Sequence, residues 1–177
     1  MEKEIVYIPL GSTWRVQLYK GELLKAAKIY GVKGRIINLS FPINERAYNP
    51  DRKQFNALIL LNHVCRLKFE RDFPLCMGVT AADVFVPGMN FIFGIADNER
   101  GCAVLSVARL IYAHYEKSSE ILKERVLKEA AHELGHLLGL NHCDNPSCLM
   151  SFSNSIVEVD RKKPMICDNC KSLLRLT

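Results

Sequence analysis

The sequence predicts an α/β chain (α+β in some schemes): one domain on a mixed twisted sheet with one antiparallel edge strand, a long helix and a small C-terminal subdomain. Three observations point there. From residue 4 to residue 80, strand-like and helix-periodic segments alternate, which indicates parallel strands joined by crossovers. Two apolar runs, residues 90–96 and 102–110, then flank Asp97-Asn98-Glu99-Arg100-Gly101, a turn sequence, and read as an antiparallel pair. A long helical pattern follows and stops at Gly139, with four cysteines beyond it. With 177 residues, 49% of them hydrophobic, the chain can build one substantial core.

The elements are justified in order. Glu4–Leu10 is apolar and β-rich, a buried strand. Gly11-Ser12-Thr13 offers a turn and an N-cap, and residues 14–30 carry Leu23, Ala26, Ala27 and Tyr30 at helical spacing before Gly31 ends the helix. Residues 35–39 form the second strand. Asn49-Pro50-Asp51 reads as the start of another helix, with asparagine as cap and proline at the first helical position. Phe55, Leu58, Ile59 and Asn62 trace its inner face to about Phe69. Leu75–Thr80 is the third strand. Ser118 and Ser119 cap the long helix, which runs to Leu138; Arg125, Glu129, His132, Glu133 and His136 make one polar stripe that should face a cleft. Glu129 itself reads as a solvated acid.

That helix carries the chemistry. His132-Glu133-Leu134-Gly135-His136-Leu137-Leu138-Gly139-Leu140-Asn141-His142 has the form H-E-x-x-H-x-x-G-x-x-H. Residues four apart share a helix face, so His132 and His136 can point at the same ion. Hydrolytic zinc takes three protein ligands and keeps a fourth position for water. The third must come from beyond the helix, and Gly139 lets the chain turn through the left-handed conformation so that His142 returns to the metal. Glu133 lies about 100° round the helix from His132, poorly placed as a ligand but able to reach a zinc-bound water as general base.

A second site follows immediately. Of seven cysteines, Cys143 and Cys148, then Cys167 and Cys170, form two short pairs that read as a closed four-thiolate zinc site. Iron–sulfur ligation fits the spacings less well, and two disulfides are disfavoured by the odd cysteine total. Zinc is therefore expected twice per chain, once catalytic and once structural. His142 and Cys143 are adjacent and should face opposite sides of the backbone, placing the two ions on the order of 10 Å apart. Cys65, Cys76 and Cys102 read as buried free thiols.

H-E-x-x-H-x-x-G-x-x-H-C, then x4-C-x-M and a later C-x-x-C, resembles the archaemetzincins, at His132, Glu133, His136, Gly139, His142, Cys143, Cys148, Met150, Cys167 and Cys170. The stretch between Met150 and Cys167 is sixteen residues, one shorter than the family spacing. The resemblance implies a metzincin-like fold, a zinc metallopeptidase activity with Glu133 as the catalytic residue, and a Met-turn at Met150 beneath the catalytic metal. Ser151, Phe152 and Ser153 follow that methionine, so no tyrosine comes from the turn. It further implies a peptide or protein substrate held extended along an edge strand, for which residues 91–96 are the candidate.

We read 1–177 as a single metallopeptidase domain, with 1–139 an N-terminal subdomain containing the active-site helix and 140–177 a C-terminal subdomain around the four cysteines. The charged N-terminus lacks a signal-peptide pattern and no run reaches membrane-spanning length, so a cytoplasmic monomer is expected. A net charge of +5 is mild, and Arg161-Lys162-Lys163 reads as a solvated loop, not a nucleic-acid patch. Two rivals stand beside the peptidase: an inactive or weakly active peptide-binding module with two structural zinc sites, and a nucleic-acid adaptor, which leaves Glu133 unexplained. Substrate-binding residues are not readable from the sequence.

Overall fold

In the computed structural model, which describes residues 3–112 and 119–175, a five-stranded sheet divides two apolar layers. The elements are β1 (Glu4–Leu10), α1 (Thr13–Leu18), α2 (Lys20–Ile29), β2 (Lys33–Ile36), β3 (Tyr48–Asn49), β4 (Gln54–Asn56), α3 (Ala57–Glu70), β5 (Leu75–Thr80), β6 (Val84–Phe85), β7 (Gly94–Asp97), β8 (Cys102–Ser106), α4 (Ala108–Tyr112), α5 (Ser119–Leu137), α6 (Ile156–Arg161) and α7 (Asp168–Arg175). The main sheet runs β2-β1-β5-β8-β7, and only β7 is antiparallel, paired to β8 from Gly94↔Leu105 to Asp97↔Cys102. That is the expected mixed sheet with one antiparallel edge strand. Side chains alternate across it: Ile5 and Tyr7 of β1 join a core under α2 and α5, while Val6, Ile8 and Leu10 join a second core over α3. Both faces of β1 are covered, which is why its sequence is continuously apolar and not alternating.

Several boundaries move. The helix expected over residues 14–30 is two, interrupted at Tyr19 (φ −105°, ψ 16°). The second strand lies at Lys33–Ile36, in parallel register with Glu4–Tyr7. Asn49-Pro50-Asp51 opens no helix. It forms the turn of a small hairpin, where Asn49 Oδ1 accepts from Arg52 N at 3.0 Å and Lys53 takes φ +54°. Asparagine and proline suit a turn as well as a helix start, and local sequence does not separate the two. Asn56 is the true N-cap of α3, accepting from Leu58 N at 3.0 Å. The buried face of α3 is therefore Ala57, Leu60, Leu61, Val64 and Leu67, with Phe55 on β4 and Leu58 exposed. The run at 102–110 is a strand only to Ser106 before α4 begins. Ser118, expected to cap the long helix, lies outside the described residues; Ser119 is the first residue of α5.

Cys65 and Cys102 are not free thiols: they form a disulfide joining α3 to β8, with Cα atoms 5.3 Å apart. Helix and strand face each other across the second core, and that proximity is invisible in a sequence separation of 37 residues. Cys76 is free and buried, and burial pushes its thiol up to about 12. Among the described residues, no helix is long and apolar enough to cross a membrane.

Candidate active site

The H-E-x-x-H segment occupies the last turns of α5, whose opposite face packs on the sheet through Val126, Ala130 and Leu134. Gly139 has φ +92°, and Leu140 N bonds back to Gly135 O at 3.0 Å, so the helix ends as the glycine predicted. Nothing lies within 4 Å of a Cβ placed there, so the requirement is conformational and not steric. The chain then returns His142. Its ring stacks on His132 at 5.3 Å between centroids and meets His136 edge-on at 4.8 Å.

Ligand nitrogens of His132, His136 and His142 lie within 4.8 Å of one another. His132 Nε2 and His136 Nε2 are 3.1 Å apart. Two nitrogens about 2.05 Å from one zinc and roughly 100° apart would be separated by about 3.1 Å, so this pair fits the ion. The other ring nitrogens are already committed: His132 Nδ1 donates to Leu149 O at 2.9 Å, and His136 Nδ1 donates to Leu140 O at 2.7 Å. Both bonds leave Nε2 as the lone-pair nitrogen and fix the ring planes. Burial holds the three imidazoles below their ordinary pKa, most strongly at His132, which keeps them neutral and ready to coordinate.

Glu133 is buried on the cleft side of α5 against Gly94 of the edge strand. A Cβ at Gly94 would stand 2.5 Å from Glu133 Oε1. Before the charge of any ion is counted, burial and then Glu129 push the Glu133 carboxyl well above the usual range, and Lys162 opposes them. The same cleft, about 400 Å³, is lined by residues 91–96, Glu129, Glu133, the three histidines and Phe152. The edge strand expected to hold substrate thus borders the histidines.

The four cysteines also meet. Cys143 Sγ is 3.7 Å from Cys167 Sγ, and Cys148 Sγ is 3.8 Å from Cys170 Sγ. Sulfurs at about 2.3 Å from a tetrahedral zinc stand about 3.8 Å apart, so this set fits as well. A hydrogen bond from the Cys170 backbone lowers the Cys167 thiol to about 7, whereas burial raises those of Cys143 and Cys170. Cys143 N donates to Met150 O at 2.9 Å, closing the loop that carries His142 and Cys143 over Met150.

Met150 is fully buried, and Tyr30 Oη donates to its sulfur at 3.4 Å. Gly135 admits that sulfur: a Cβ there would collide with Met150 Sδ and stand 2.6 Å from Tyr30 Oη. Neither Gly94 nor Gly135 was singled out by the sequence, although glycine inside a helix or strand is a sign of close approach. Two expectations fail. Glu129 is not solvated, and Lys162 is not part of a solvated loop. They form a buried ion pair at 3.0 Å, while Arg161 and Lys163 remain exposed. Arg125 leaves the cleft-facing stripe and is buried against α6, where it grips Asp160 through two bonds of 2.7 Å. Both changes arise because α6 packs on α5, a contact between segments some thirty residues apart.

Comparison with known proteins agrees with this geometry. The profile of peptidase family M54 matches residues 14–176. The chain is 39% identical over 176 residues to the archaemetzincin of Pyrococcus furiosus, covering 96% of this chain and 91% of that one. It is 44% identical over 133 residues to that of Archaeoglobus fulgidus, covering 75% and 76%. The crystal structure of the Methanopyrus kandleri archaemetzincin superposes with a TM-score of 0.84 at 32% identity, over 99% of this chain and 94% of that one. A structure described as a zinc-dependent peptidase from Methanocorpusculum labreanum gives 0.84 at 28% identity, over 96% and 99%.

Proposed function

This chain belongs to peptidase family M54, and from that premise we propose that His132, His136 and His142 hold the catalytic zinc ion, with Glu133 as the general base. The protein is a zinc metallopeptidase. The observation that carries the assignment is the convergence of three neutral imidazoles beside one buried carboxylate in a single cleft. A zinc ion bound there supplies the Lewis acidity that polarises a peptide carbonyl and acidifies a water molecule. Glu133 takes a proton from that water at its carboxylate oxygen as the water's oxygen bonds to the carbonyl carbon. It then delivers the proton to the amide nitrogen as the C–N bond breaks. The free edge of β7 holds the substrate main chain by strand addition. Phe91, Phe93 and Phe152 give the cleft apolar walls beside the histidines.

Cys143, Cys148, Cys167 and Cys170 hold a second, structural zinc, and Met150 forms the floor of the catalytic site. We divide the chain at residue 139, where α5 passes to the segment organised by the cysteines. A cytoplasmic monomer acting on peptides or proteins completes the reading. Cell fractionation and sedimentation velocity check that part.

The test is cleavage of a peptide pool, read by mass spectrometry, with zinc-verified wild type and Glu133→Gln. The expected result is cleavage by wild type and a loss of at least about 10²-fold in the variant at equal zinc content. Equal cleavage by both overturns the role of Glu133. No cleavage by either favours the peptide-binding module.

A further inference from the structure

The segment between the two cysteine pairs sends one charged side chain into the core. Lys162 Nζ lies 3.0 Å from Glu129 Oε1, with side-chain exposures of 1% and 3%, and 3.5 Å from His132 Nδ1. Glu129 stands three residues before His132 and four before Glu133, so the pair is seated on the helix face that carries ligand and base. On its backbone side Lys162 is tied to the cysteines. Lys163 N donates to Ser147 O at 3.0 Å, Leu149 N to Met165 O at 3.1 Å, and Cys167 N to Cys148 Sγ at 3.3 Å. Leu149 belongs to the same bridge, because its carbonyl accepts from His132 Nδ1.

A buried ion pair is a poor device for stability alone. Desolvation offsets much of its attraction, and an apolar pair of similar volume often packs as stably. What this pair does that an apolar pair cannot is set a direction: a fixed ammonium draws Glu129 toward the cysteine-bearing segment and stands against one imidazole. We propose that Lys162 is a positioning residue, which transmits closure of the four-cysteine site through Glu129 and His132 to the geometry of the histidine site. The proposal rests on the metal assignments above. It makes the cysteine cluster a regulator of the catalytic metal and not merely a staple of the C-terminal segment.

The test uses cobalt in two loadings: protein with zinc kept at the thiolates and cobalt at the histidines, whose d–d bands then report on that site alone, and all-cobalt protein, whose thiolate charge-transfer band reports on the cysteine site. Each site is titrated with a competing chelator in wild type, in Lys162→Met and in the double variant Lys162→Met/Glu129→Leu. The double variant removes both buried charges, so it answers the question even if the single variant, left with an unpaired carboxylate, does not fold. The expected result in the double variant is histidine-site affinity lowered by roughly 10–100-fold with altered d–d bands. Thiolate bands stay unchanged, and kcat on a cleaved peptide falls while KM holds. Wild-type affinity, d–d bands and kcat in the double variant would overturn the proposal and leave the pair as packing. Wild-type protein that takes up cobalt only at the thiolates would instead overturn the histidine-site assignment, and this proposal with it.

Discussion

Replacing Gly94 by alanine should disable the enzyme without unfolding it or emptying its metal sites. The added Cβ would lie 2.5 Å from Glu133 Oε1 and 2.7 Å from both Cδ and Cγ. Ordinary contact begins near 3.4 Å, so the carboxylate must retreat by about 0.7–0.9 Å. It cannot do so by a simple swing, since three successive atoms of the side chain are crowded at once and the group is buried on α5. A displacement near 1 Å of a catalytic group costs about 10²-fold in rate, or about 2.7 kcal/mol in the barrier. Strand conformation accommodates alanine, and loss of glycine's freedom in the unfolded chain adds about 0.4–1 kcal/mol, but crowding the buried Glu133 side chain costs about 1–3 kcal/mol. The expected Gly94→Ala protein therefore stays folded with a modestly lowered melting temperature and keeps its zinc content, with kcat lowered about 10²-fold. The assay is steady-state cleavage of a peptide identified from the pool, with zinc measured on the same sample. A zinc-replete variant with kcat within about threefold of wild type would refute the placement of Glu133 against the edge strand, because this crowding predicts far more.

Gly135→Ala should act on stability and not on the base: helix propensity offers about 1 kcal/mol, but overpacking against Met150 and Tyr30 costs about 1–3 kcal/mol, so the urea midpoint should fall. An unchanged or higher midpoint would show that Met150 yields freely. Cys148→Ala should empty the cysteine site and also weaken the histidine site by roughly tenfold, because Leu149 orients His132; chelator titration that finds the histidine site unaffected argues against that linkage. Alkylation of denatured, metal-stripped protein without reductant should modify five cysteines, and with reductant seven; seven in both cases would show Cys65 and Cys102 unbridged. In native protein at pH 8, Cys76 should resist alkylation: a thiol held near 12 is ionised to only about one part in 10⁴ there, and labelling should rise only as the pH approaches that value. Rapid labelling at pH 8 would mean that the core beneath β5 opens.

What the sequence determined by itself was everything encoded at short range. Helical spacing put His132 and His136 on one face, Gly139 supplied the turn, and adjacency tied His142 to Cys143; the geometry meets those expectations because each depends on a few bonds of backbone. Alternation of strand and helix likewise gave the parallel sheet and its antiparallel edge. Tertiary structure decided what depends on which distant surfaces meet. Lys162 looked like one of three solvated cations, and only the packing of α6 on α5 desolvates it against Glu129. Cys65 and Cys102 became partners only when α3 settled on β8. Gly94 and Gly135 gained meaning only from Glu133 and Met150 arriving over them. The Asn49-Pro50-Asp51 turn makes the same point at small scale: its local preferences suit a hairpin and a helix equally, and pairing of β4 with β6 settles which forms. Ligand spacing is a property of the chain, whereas burial and partner choice are properties of the folded surface.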